Sequence, residues 1–452
     1  MKRYNKATAH KKRLRSIGKS WLVRKRFSRI LHILGPGLVT GAADDDPSGI
    51  ATYSQVGAGY GFTLLWAFPA MLPLLAAVQE SCSRIGAVTG KGLAAIIKQN
   101  YSKRLLYPAV ALVVIANTVN IGADLGAMAA TIRLFVNIPF GIVATVMALI
   151  IILLVVTVNY TTYAKVLKWL AVTLLAYPAA AILIGQDWGK LFSSTFLTLP
   201  HFNISTVYII VGLLGTTISP YLFFWDTSEV VEDEISEHRL TEKMTSPHIS
   251  KRFIKNIRID NFIGMALATI TGWFVVVVCA SVLFKNGVTQ INSASDAARA
   301  LEPLVSGVPH AGVIAKLIFS VGIIGIGMLA IPVLAGSSSY AVTETLGWKE
   351  GLHRKFGQAL GFYGVIIVAT LVGLTINFVG IDPIKALIFT AVFNGIASVP
   401  LLIIISKIGK SEAIMGSYKS GLLSRTLVQL AFLVNLAAVL VLFISYIMQL
   451  GK

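Results

Sequence analysis

Apolar runs of about twenty residues recur along the whole of this 452-residue chain, and nothing else constrains its fold as strongly. A run of that length spans a hydrocarbon core of ~30 Å as a helix, because a helix satisfies its own backbone hydrogen bonds where no water can. Eleven candidate spans lie near 31–57, 61–82, 106–136, 138–158, 163–184, 206–230, 259–284, 312–345, 359–379, 384–406 and 422–449. The expected fold is an all-α membrane protein with eleven transmembrane helices. Charged residues make up 13% of the chain, against about 25% in soluble domains, too few to coat two globular domains.

The net charge of +19 is unevenly placed. Twelve Lys and Arg fall within the first thirty residues, and most of the others sit in alternate loops. Loops 83–105, 231–258, 346–358 and 407–421 are basic, Lys165 and Lys168 follow the short loop 159–163, and 185–205 has only Lys190. This positive-inside pattern sets the N-terminus in the cytoplasm, the C-terminus outside, and the protein in the inner, cytoplasmic membrane. Residues 1–30 form a basic tail suited to anionic lipid rather than nucleic acid, and 31–452 one membrane domain. The first apolar run is followed by many others, so it does not read as a cleaved signal peptide. Cys82 and Cys279 suggest neither a disulfide framework nor a metal motif. No phosphate-binding glycine loop, histidine cluster or nucleophile-base arrangement stands out. The chain is therefore not expected to be an enzyme, to use ATP or to hold a cofactor.

Two spans are interrupted. The first is broken by Asp44-Asp45-Asp46-Pro47-Ser48-Gly49, the sixth by Thr216-Thr217-Ile218-Ser219-Pro220. They open two proposed five-helix halves of opposite orientation, 31–184 and 206–406, with 422–449 as an accessory helix. Interruptions at matching places in inverted repeats point to the binding site of a secondary transporter.

The aspartate triplet is the strongest chemical signal. Each carboxylate in an apolar span costs about 2.5–3.5 kcal/mol on insertion scales. Pro47 removes a backbone donor and pushes Asp46 out of helical dihedrals. Free carbonyls beside a carboxylate make a site for a hard cation. Span 6 adds hydroxyls at Thr216, Thr217 and Ser219. Asp226 and Glu229, one to two turns on, line an inner vestibule or mark the membrane edge. Asn117, Asn120 and Asp124 share a face of span 3, as a proton path or as polar packing. Asn394 in span 10 is a buried amide, either interhelical glue or a cation ligand. Glu80 and Arg84 read as an interfacial ion pair or as one that holds a gate, and 231–258 as a short helix or an irregular loop.

Several motifs then converge. Gly35-Pro36-Gly37 with Asp46-Pro47, Gln79-Glu80 through Arg84-Ile85-Gly86, Val88-Thr89-Gly90 with Leu93, Asp124-Leu125 and Met415-Gly416 together resemble the Nramp family of divalent-metal transporters. The resemblance spans about residues 33–449 and implies a LeuT-type fold. It also implies that Asp46 is a metal ligand. Four positions depart from the family pattern. Gly49 replaces a ligand Asn, Ser219 a ligand Met, Tyr221 a proton-path His, and Ala127 a common Glu. Losing the thioether removes a preference for softer metals and leaves a wider, all-oxygen site. Such a site suits Mg²⁺, which keeps part of its water shell, as in the magnesium-transporting Nramp relatives. The expected set is Asp46 with carbonyls near Ala43 and Thr216, the Ser219 hydroxyl, and the space left at Gly49. Asp45 and Asp226 would draw cations inward, and Asp124 and Asn394 are vestibule or proton-path candidates. Divalent-cation transport, of Mg²⁺ or Mn²⁺ with weak or absent proton coupling, is the leading expectation. A proton-coupled Mn²⁺/Fe²⁺ symporter, a Na⁺-coupled organic-solute transporter and a non-transporting sensor are the alternatives. The acidic triplet disfavours an anionic substrate.

Overall fold

The structure is a computed structural model, and it describes residues 40–41, 43–158, 175–198, 203–236, 240, 249–305 and 309–450. The basic tail, Gly35-Pro36-Gly37, most of the span expected at 163–184 and most of the loop 237–248 lie outside the described residues.

After a helical segment at 40–41 and 43–44, the chain breaks at Asp45-Asp46. It continues as α1 (Pro47–Tyr60), α2 (Ala67–Thr89), α3 (Leu93–Asn100), α4 (Lys103–Ile132) and α5 (Phe140–Thr157). Next come α6 (Ala176–Leu183), α7 (Trp188–Phe196), α8 (Ile204–Thr217) and α9 (Pro220–Ser236). The last are α10 (Lys251–Val282), α11 (Ala294–Arg299), α12 (Ala311–Leu346), α13 (Leu360–Thr375), α14 (Pro383–Lys410) and α15 (Leu422–Leu450). Among the described residues there is no strand, and eight helices are long and apolar enough to cross a bilayer. The described residues therefore do not establish a count of eleven. Apolar side chains such as Leu153, Val368 and Ile444 point outward from α5, α13 and α15, as lipid-facing residues do.

The packing repeats itself. The helix after the first break, α1, packs on α10, and the helix after the second break, α9, packs on α2. The helices α2 and α10 also pack on each other, as do α4 and α12. Exchanging the two halves converts α1 against α10 into α9 against α2 and maps the other two pairs onto themselves. That is the signature of an inverted repeat.

Glycines sit where the helices cross most closely. A Cβ on Gly57 of α1 would lie 2.5 Å from Val276 O of α10, and one on Gly86 of α2 would lie 2.2 Å from Thr227 O of α9. A Cβ on Gly215 of α8 would lie 2.0 Å from Ala391 O of α14. Membrane helices gain little from apolar burial against each other, so close backbone approach through small residues carries the packing.

Two sequence boundaries are corrected. The second span does not stop at residue 82; α2 continues to Thr89, so Arg84 lies inside a helix and is buried. Likewise, 231–236 completes α9, and α10 already begins at Lys251. Both extensions carry polar residues that bond between helices, Arg84 to the Tyr418 carbonyl and Glu232 to Tyr340.

Candidate cation site

The two interruptions meet. Asp46 is the N-cap of α1, and Pro47 takes the first helical position, where its missing N–H costs nothing. The Asp46 Oδ1 accepts from Gly49 N at 2.8 Å and from Ser48 Oγ at 2.6 Å. Its Oδ2 accepts from Asn120 Nδ2 of α4 at 2.8 Å. The carboxylate is 1% exposed. Ser48 Oγ lies 3.4 Å from Thr216 Oγ1, which joins the break before α1 to the end of α8.

The second break is held by its own oxygens. Ser219 Oγ sits 2.8 Å from both Gly215 O and Thr216 O, so its hydroxyl can serve Thr216 O, the carbonyl that Pro220, lacking an N–H, leaves unpaired. Tyr221 OH donates to Ala43 O at 2.8 Å and ties α9 to the segment before the first break. A carbonyl oxygen has two lone pairs, so Ala43 O retains one after that bond. A Cβ on Gly49 would meet Thr216 Oγ1 at 3.2 Å and Asp44 O at 3.6 Å, so Gly49 faces the gap between the breaks.

The aspartate triplet does not act as one cluster. Among the described residues no three His, Cys, Asp or Glu side chains are grouped to hold a metal. Both carboxylate oxygens of Asp44, and Oδ1 of Asp45, are buried without a hydrogen-bond partner. Asp46 alone of the three reaches α4. The hydrogen-bonding donors around it are hydroxyl, amide and backbone groups, with no thioether or imidazole among them.

The other candidates spread out. Asp124 is buried on α4, one turn beyond Asn120, and neither of its oxygens has a partner. Asn394 is buried on α14 beside the crossing with α8, also without a partner. Asp226 is not at the break. It belongs to a polar seal at the end of the bundle that carries the basic loops. Ser83 Oγ donates to Asp226 Oδ2, Asn261 Nδ2 donates to Ser83 Oγ at 2.8 Å, and Thr40 Oγ1 lies 3.4 Å from Asp226 Oδ1 and 3.5 Å from Glu229 Oε2.

The seal continues outward. Arg84 pairs with Glu80 inside α2, and Arg258 Nε and Ser424 Oγ reach the same carboxylate at 3.4 and 3.2 Å. Glu80 and Arg84 are 3% and 5% exposed, so the expected interfacial pair is in fact buried between α2, α10 and α15. Glu344, which had no role in the sequence, accepts from Ala95 N at the start of α3 and from Ser228 Oγ of α9, both at 3.0 Å. Glu232 of α9 accepts from Tyr340 OH, Leu352 N and His353 N at 2.7, 2.9 and 3.2 Å. Glu350 in the same loop accepts from Thr343 Oγ1 at 2.9 Å. Burial first, and then the nearby Glu232 charge, push the Glu350 carboxyl up to about 7.

The opposite end holds a cavity of about 490 Å³, lined by Gln55, Tyr60, Gln290, Asn292 and Lys385, among others. It meets a neck of about 10 Å³ at Ile291, which lines both. The neck is lined by Pro47, Ala51, Ala127, Phe319 and Leu387. Asp46 thus lies between a tight apolar neck and a polar seal.

Two helices broken at one level around a buried carboxylate, in an inverted-repeat bundle, define a polytopic membrane protein of the broken-helix transporter fold. The chain belongs to the Nramp family: the profile described as natural resistance-associated macrophage protein-like matches residues 37–445. It is 26% identical over 392 residues to the divalent metal cation transporter MntH of Caldanaerobacter subterraneus subsp. tengcongensis, covering 84% of this chain and 86% of the relative. It is 27% identical over 322 residues to the protein of the same name from Ralstonia nicotianae, covering 69% and 67%. Its fold matches the Eremococcus coleocola manganese transporter at a TM-score of 0.71 and 17% identity, covering 94% and 92% of the two chains. It also matches MhsT, solved with L-phenylalanine, at 0.57 and 12%, covering 90% and 98%. The LeuT-type fold expected from the resemblance is therefore the observed one.

Proposed function

We propose that this protein carries divalent metal cations, Mg²⁺ or Mn²⁺, across the cytoplasmic membrane by alternating access, with proton coupling weak or absent. The observation that carries the reading is Asp46: one buried carboxylate where both helices break, among oxygen donors. A hard cation is drawn to such a set, and the carbonyls at the C-terminal ends of half-helices favour positive charge. On this reading Asp46 supplies the charge, and Ala43 O, the Thr216 oxygens and the Ser219 hydroxyl oxygen complete the shell. The relatives named as divalent metal cation transporters and as a manganese transporter support the metal class. Ser219 in place of a thioether supports the harder ion.

On this reading the basic end is cytoplasmic. Ion release requires the seal around Asp226, Glu229 and Ser83 to open, and ion entry requires the neck at Ile291 to widen. Asp45 and Asp226 hold negative charge along that path. The second reading, a proton-coupled carrier of softer metals, draws on Asp124, whose buried carboxylate has no partner and could hold a proton.

Competition in proteoliposomes decides between them. Mn²⁺ uptake by the wild type should be suppressed by Mg²⁺ at comparable concentration, and Ser219→Met should weaken that suppression. Uptake of Mn²⁺ that ignores a large excess of Mg²⁺, with acidification of the lumen, would instead establish the second reading.

A further inference from the structure

The face of α4 that carries Asn117, Asn120 and Asp124 does three different things. Asn117 Nδ2 donates to Leu334 O and Ser338 Oγ of α12 at 3.1 and 3.0 Å, which is interhelical packing. Asn120 turns instead to the break. An ionised carboxylate only accepts, so the NH₂ end of the Asn120 amide must be the end that faces Asp46. That contact uses the Nδ2 end and leaves Oδ1, on the same planar amide, free beside the carboxylate. Asn120 is fully buried, and its Oδ1 has no hydrogen-bond partner. A buried amide oxygen left unused costs about 1–3 kcal/mol; Asn117 Oδ1 is in the same state, but only Asn120 also touches Asp46, so its free oxygen is the one beside the break.

The opposite wall explains why one is needed. Gly49 faces the gap and offers no side-chain oxygen, and a Cβ there would already press on Thr216 Oγ1 at 3.2 Å, tighter than ordinary contact. Ser48 Oγ is committed to Asp46. Among neutral side chains, an amide oxygen is a hard donor suited to Mg²⁺ or Mn²⁺ or to a water they carry.

We propose that Asn120 is part of the cation site: its Nδ2 holds the Asp46 carboxylate in position, and its Oδ1 accepts from or coordinates the hydrated ion. This deepens the transport reading and rests on it. The side-chain amide missing from α1 at Gly49 is supplied from α4.

The test is the kinetics of Mg²⁺ and Mn²⁺ uptake into proteoliposomes, with the folded fraction of each variant measured by size-exclusion chromatography. Asn120→Ala should raise KM for both ions about tenfold, the scale seen when a partner of a metal ligand is removed, while Vmax stays within about twofold. Asn117→Ala should lower thermal stability and leave KM unchanged. Should Asn120→Ala fold poorly, Asn120→Ser keeps a polar group too short to span the gap and should give the same rise in KM. A folded Asn120→Ala or Asn120→Ser with wild-type KM, while Asp46→Ala is inactive, overturns the role of Asn120 alone. Full transport by Asp46→Ala overturns the cation site itself.

Discussion

The crossing of α8 and α14 gives the sharpest test of the packing that holds the second break. A Cβ on Gly215 would sit 2.0 Å from Ala391 O, 2.2 Å from Gly395 N and 2.6 Å from Gly395 Cα. Ordinary contact begins at 3.4 Å. The obstacle is backbone, so Gly215→Ala must move one helix by about 1.4 Å, the difference between the 3.4 and 2.0 Å separations. Gly215 O also accepts from Ser219 Oγ, and the next residue places its hydroxyl against Ser48, so the displacement reaches the site. Overpacking a tight interior costs about 1–3 kcal/mol, and a backbone clash falls at or above the top of that range. Thermal unfolding in detergent, followed by tryptophan fluorescence, should show a loss of roughly 3 °C or more for a chain of this length. Metal uptake should fall with it. Gly357→Ala is the control, because nothing lies within 4 Å of a Cβ there. A Gly215→Ala protein that melts and transports like the wild type would refute the claim that this crossing sets the position of the break.

Two further outcomes are expected. Tyr221→Phe keeps the ring but removes the donor to Ala43 O; leaving a buried carbonyl short of its partner costs about 1–3 kcal/mol, so the melting temperature should drop, and an unchanged one would show that this bond does not tie α9 to the first break. Glu350 titrates near 7 when folded, above the ordinary 4.5, so its contribution to stability is fully present below about pH 4.5 and is lost as pH rises through 7. Wild-type melting temperature should therefore fall between pH 5 and pH 8, and Glu350→Gln should flatten the slope; an equal slope in the variant would assign it to other groups.

The breaks were legible because their signals are local. Proline and carboxylates inside an apolar run contradict a plain membrane helix, and the sequence places two such contradictions at the heads of two halves. The bond from Asn120 to Asp46 was not legible, because it joins residues 74 apart. Spacing put Asn120 on a face with Asn117 and Asp124, but only the packing of α4 against the break separates their roles. Glu80 and Arg84 misled for a physical reason. A charged pair one turn apart looks like a membrane boundary when its neighbours are unknown. Here Arg258, Ser424 and the Tyr418 carbonyl gather around it, so the helix runs on and the pair is buried. Asp226 was readable as an inner-end group, whereas its partners Ser83 and Thr40, and Asn261 that donates to Ser83, come from three separate stretches of chain. The glycine crossings were invisible, since a glycine in a membrane helix does not show which helix it touches.

The most direct test is simultaneous metal and proton flux in proteoliposomes carrying a Mg²⁺ dye and a pH dye, for the wild type and Asp46→Ala. Mg²⁺ entry without acidification, abolished in Asp46→Ala, is the predicted result. Mg²⁺ entry that survives in Asp46→Ala would contradict the placement of the cation at the meeting point of the two broken helices.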